Sequence, residues 1–102
     1  MAAGRAMPCG AEHGALLCEA LRGYAQAAFP PGGSACAEAA RESLLEIAAR
    51  LEREQAACGS ITLKGRQKGT LRGAVRVYFN ELSGLPEAEA SRHRELLLGL
   101  LE

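Results

Sequence analysis

The sequence predicts an all-α fold, a compact bundle of about four helices. Three observations point there. All twelve acidic residues are Glu, with no Asp and a single Asn, so the chain is rich in helix formers and poor in turn formers. Residues 34–59, SACAEAARESLLEIAARLEREQAACG, carry one unbroken helical pattern. Clusters of Pro and Gly at 30–33 and 84–86 divide the rest into helix-length segments.

The first helix is predicted over 12–28. Leu17, Leu21, Tyr24 and Ala28 step by four, three and four along one face. Phe29-Pro30-Pro31-Gly32-Gly33 ends it, because Pro lacks the N–H that a helix interior uses and Gly is entropically unsuited to one. Residues before 12 read as a short disordered leader, leaving 12–102 as one helical domain. In the second helix Ala37, Ala40, Leu44, Ile47 and Leu51 share a narrow stripe. Ser34 stands at the N-cap position and Gly59 at C′. Glu46–Arg50 and Arg50–Glu54 are i,i+4 pairs on the outer faces.

Residues 60–83 fit two templates. Leu71, Val75, Tyr78 and Leu82 at helical spacing, with Thr70 as cap, make a third helix. Alternation of Leu71, Gly73, Val75, Val77 and Phe79 with polar neighbours makes a strand instead, with Ile61 and Leu63 in its partner. The alternative fold is therefore α+β with a β-hairpin at about 60–79. Asn80-Glu81-Leu82 extend the helical pattern beyond strand length, which favours helix; Gly73 costs that helix about 1 kcal/mol relative to Ala. The last helix begins at Pro86, with Glu87 and Glu89 at its positive end, and runs to Leu101.

Composition excludes several function classes. The net charge is zero, so no global field draws nucleic acid or membrane. No run of apolar residues is long enough to span a bilayer. Cys9, Cys18, Cys36 and Cys58 include no C-x-x-C pair, and His13 and His93 stand alone, so no metal site and no cofactor are expected. Cys36 and Cys58 would lie about 33 Å apart along one helix and cannot bridge each other. Reduced thiols imply an intracellular protein, nuclear or cytoplasmic. No nucleophile, acid–base pair or P-loop is present, so no catalytic residue is nominated and no enzyme activity or small-molecule substrate is expected.

Two features remain as candidate sites. With two Phe, two Tyr and no Trp, a Leu/Ala core buries little area per residue, so a partner chain is expected to cover part of it. The residues predicted at that protein–protein contact, in a homo- or hetero-oligomer such as a heterodimer, are Leu44, Ile47, Leu51, Leu97, Leu100 and Leu101. Leu97-Leu98-Gly99-Leu100-Leu101 also matches an L-x-x-L-L docking pattern, but the motif is short and leucine common here, so a buried helix face is the favoured reading of it. The second feature is an acid-free stretch, 55–80, carrying Lys64, Arg66, Lys68, Arg72 and Arg76. Its Gly-flanked portion, 64–69, reads as a flexible loop able to approach nucleic-acid phosphates, or simply as a solvated surface.

The order of long helix, Ser60-Ile61-Thr62, basic segment, and a following helix with Thr70 and Ala74-Val75-Arg76 resembles the histone-fold family. The resemblance implies a dimerising helical subunit of a chromatin or DNA-associated assembly. It puts Ile61 and Thr62 at strand pairing with a partner, and Lys64, Arg66 and Lys68 at phosphate contact. The N-terminus carries only Arg5 where a nucleosomal histone has a basic tail, and 65–69 stands as an insertion in that pattern.

Overall fold

A computed structural model describes residues 5–8 and 10–101. Its elements run β1 (Arg5–Pro8), α1 (Ala11–Ala28), α2 (Ala35–Cys58), β2 (Ser60–Leu63), α3 (Gly65–Val77), a π-helical turn (Tyr78–Leu82) and α4 (Glu87–Leu100). The all-α bundle of four helices predicted from the sequence is what forms. The hairpin alternative does not: residues 65–82 are helical throughout, and β2 pairs instead with β1, antiparallel, Met7 opposite Ile61. The leader expectation is corrected for residues 5–8, whose backbone is held in that ribbon; residues 1–4 and 9 lie outside the described residues.

The local signals were read correctly where they were strongest. Ser34 Oγ accepts a hydrogen bond from Ala37 N at 3.1 Å, and Gly59 ends α2 at φ 69°, a left-handed conformation that favours Gly. The start of α3 was read wrongly. Residues 65–69, expected as a flexible loop, are its first turn, and Thr70 lies inside it, its hydroxyl donating to Arg66 O. Lys64 N donates to Gln67 Oε1 at 3.1 Å, so a glutamine three residues into the helix caps it where the sequence offers no Ser, Thr, Asp or Asn.

α1 is the centre of the bundle, touching α2, α3, α4 and the π turn. It buries Leu17, Cys18, Ala20, Leu21 and Ala25. Against it close Leu44, Ala48 and Leu51 of α2, Ile61 and Leu63 of β2, Leu71, Ala74 and Val75 of α3, and Leu97 and Leu101 at the α4 end. Each fully buried Leu or Ile contributes about 1.5–3 kcal/mol. Two glycines let neighbours reach the α1 backbone. A Cβ on Gly14 would lie 2.8 Å from Gln55 Cγ, and one on Gly23 would lie 2.6 Å from Tyr78 Cδ1. The Cδ1–Cε1 edge of the Tyr78 ring therefore lies close against the α1 backbone at Gly23, and the Tyr78 hydroxyl donates to Glu19 at 2.7 Å.

Two outcomes follow from this packing. Gly23→Ala forces the Tyr78 ring away and is expected to destabilise the chain by about 1–3 kcal/mol, read as a lower melting temperature; Gly69→Ala, which meets nothing within 4 Å, is expected to stabilise α3. Burial, then the hydrogen bond to Glu19, then the Glu19 charge push the Tyr78 hydroxyl up to about 12 from its ordinary 10.0. The folded state thus holds this proton more tightly than the unfolded chain. The associated stability is complete below pH 10 and lost as pH rises toward about 12. Denaturant melts across that window should show the loss, and Tyr78→Phe should flatten it.

Candidate functional site

An apolar trough of about 530 Å³ opens between α2 and α3. It arises because these helices pack on α1 and not on each other along their length. Tyr24 and Phe29, at the end of α1, form its floor with Leu44 and Ile47, their rings meeting edge to face at 6.3 Å. One wall is α2, with Ala40 and Ser43. The other is α3, with Gly69, Thr70 and Gly73. A Cβ at either glycine meets nothing within 4 Å, so at these two positions the wall is backbone facing open space. Arg66 stands at the mouth, exposed and without an ion-pair partner among the described residues.

Beside the trough, and sharing Gln67 with its lining, stands a polar clamp. Arg50 Nη1 donates to Glu54 Oε2 and to Thr62 O, both at 2.9 Å, and its Nη2 donates to Gln67 Oε1 at 3.1 Å. Glu54 Oε1 accepts from Thr62 N at 2.8 Å. The Arg50–Glu54 pair thus takes both backbone groups of Thr62, as a neighbouring strand would. Antiparallel pairing alternates hydrogen-bonded with open positions, so Thr62 directs its N–H and C=O away from β1. Pro8, opposite Ser60 and two residues along, falls in the same open class, where its missing N–H costs nothing. Of the two ion pairs expected on α2, Arg50–Glu54 forms and Glu46–Arg50 does not, because the guanidinium is committed to the clamp.

The predicted site residues separate. Leu44, Leu51, Leu97 and Leu101 are buried in the chain's own core, which corrects their assignment to an open seam; the core closes without a second chain over them. Leu44 still reaches the trough floor. Ile47 and Leu100 are half-buried, and only Ile47 lines the trough. The L-x-x-L-L pattern resolves as a core face through Leu97 and Leu101. Ile61 and Thr62, which the histone-fold resemblance puts at partner pairing, pair within this chain with β1 and with the clamp.

The basic residues also divide. At 100° per residue Lys68, Arg72 and Arg76 form one stripe of α3 in steps of four, and Arg66 lies apart, beside Gly69 and Gly73. Lys64 occupies the N-cap position of α3, its backbone N–H held by Gln67, and Arg72 donates to Leu101 O at 3.2 Å, tying α3 to the end of α4. Among the described residues no group of three His, Cys or Glu is arranged to hold a metal ion, and no helix is long and apolar enough to cross a membrane. His93 stacks on Phe79 at 5.8 Å with Glu89 at 3.9 Å; Cys36 and Cys58 are exposed thiols.

Sequence reasoning missed Tyr24 and Phe29 as a floor and Gly69 and Gly73 as a wall. The available signal was the i,i+4,i+8 spacing of Gly65, Gly69 and Gly73, which marks one face without side chains once the segment is known to be helical. Comparison with protein-family models, with curated proteins and with solved structures finds no match to this chain.

The clamp is the part of this region whose removal is most diagnostic. Arg50→Ala leaves the Glu54 carboxylate, Thr62 O and Gln67 Oε1 short of a donor and is expected to cost about 2–3 kcal/mol in denaturant unfolding. Arg50→Lys should not restore it, because an ammonium on a flexible stem does not reproduce the planar fork. Amide exchange should rise first at Thr62 and at the first turn of α3.

Proposed function

We propose that this chain is a non-enzymatic protein–protein interaction module that receives apolar side chains of a partner in the trough between α2 and α3. One observation carries the reading: aromatic and aliphatic side chains line an opening in a bundle whose core is otherwise closed. Apolar openings with a few polar groups at the rim are the usual form of a recognition site. The bare wall at Gly69 and Gly73 supports it further, since a partner backbone can approach a helix closely where no Cβ intervenes. Arg66 supplies a cation for a partner carboxylate at the mouth. The basic segment enters this reading as the charged rim of a protein contact.

The test uses helical peptides selected for binding to the intact chain and counter-selected against Ile47→Lys. Ile47 is a half-buried lining residue and not part of the fully buried core, so that variant is expected to stay folded, which circular dichroism checks. Binding peptides should shift backbone amide resonances at 40–47 and 66–73 and lose at least about tenfold in affinity with Ile47→Lys, as expected for a charge at a desolvated anchor. Failure to recover any Ile47-dependent peptide, or resonance shifts elsewhere on the surface, disposes of the reading.

A further inference from the structure

We propose that the occupant of the trough is a second copy of this chain, which inserts Leu82 and Leu85 into it. The inference rests on the reading of the trough as a docking surface and names what docks there. Three large apolar side chains are exposed among the described residues: Leu82 at 38 %, Leu85 at 36 % and Leu96 at 43 %. Two of the three stand in one short exposed projection, Leu82 as the last residue of the π turn and Leu85 on the link from it to α4. Glu81 and Glu87 flank them, both exposed and neither ion-paired among the described residues. The projection is therefore apolar with an acidic border.

The trough is its complement. Tyr24, Phe29, Leu44 and Ile47 provide apolar floor, its lining residues include no acid, and Arg66 waits at the mouth without a counter-charge. Helix α3, which forms that side, contains no acidic residue at all. One chain thus presents both an acid-bordered apolar projection and a cation-bordered apolar cavity. The net charge of zero puts no overall repulsion between copies.

The projection is also held in shape before it binds. Ser83 N donates to Tyr78 O at 2.8 Å, Leu85 N donates to Ser83 Oγ at 3.3 Å, and Gly84 makes the turn at φ 72°. Fixing a segment beforehand removes ordering entropy from the cost of association. The contact joins two different surfaces, so it is head-to-tail: used twice about a two-fold axis it closes a dimer, and otherwise it extends a chain.

Sedimentation of the full-length chain tests this from about 10 µM to about 1 mM, the range in which small interfaces associate. The weight-average mass should rise above the monomer with concentration. Leu82→Ser with Leu85→Ser should weaken association at least about tenfold, given what burying a leucine contributes; both leucines are exposed, so folding should be unchanged by circular dichroism. Arg66→Glu alone, and Glu81→Arg with Glu87→Arg alone, should each weaken self-association. An equimolar mixture of these two variants should recover it, because the reversed projection then meets the reversed trough. A wild-type chain that stays monomeric throughout, or a mixture that does not recover, overturns the proposal. If Ile47-dependent peptides still bind a monomeric wild-type chain, self-association falls and the trough keeps its role; if they do not, both fall together.

Discussion

One guanidinium ties three elements of this small bundle to one another. Arg50 reaches from α2 to β2 and to the first turn of α3, and with Glu54 it satisfies the open edge of a two-stranded ribbon. An isolated pair of strands is marginal in water, and an unpaired strand edge invites pairing with other chains. Here a helix supplies the missing neighbour through side chains. Because Gln67 accepts from both Arg50 and the Lys64 backbone, the same group that closes the ribbon also starts α3. The angle at which α3 leaves β2 is thereby tied to α2 at one end only. The two helices are joined at Arg50 and Gln67 and pack little on each other elsewhere, and the trough lies between them.

Helix type and the ends of α2 were legible because they are local. A stripe at steps of three and four, a capping Ser34 and a terminal Gly59 act within a few residues of one another. The start of α3 was not legible, because its cap is a glutamine inside the helix and its first residues are Gly and basic groups that read as loop. Thr62 and Glu54 carry no pattern that couples them; their contact depends on where β2 runs relative to α2. The ribbon was hidden for the same reason, since Arg5–Pro8 pairs with residues more than fifty positions away. The site residues were only partly legible because a helical stripe reads as a single surface. The fold divides Leu44, Ile47 and Leu51: Leu51 lies inside, Ile47 is half-buried in the trough lining, and Leu44 serves both.

The trough stays open for a reason that lies in α3. Neighbouring helices ordinarily fill the space between them with interdigitated side chains. Gly69 and Gly73 contribute none, and each costs the helix about 1 kcal/mol relative to Ala. α3 stands because Leu71, Ala74 and Val75 are buried on its opposite side, so packing outweighs poor intrinsic propensity. The outcome combines two penalties, a weakened helix and apolar side chains left facing water. Larger residues at 69 and 73 would remove both at once, since nothing stands within 4 Å of either position. A chain that needed only to fold would gain from closing this gap. Under the proposed role, the gap at Gly69 and Gly73 is the space that a partner's apolar side chains fill.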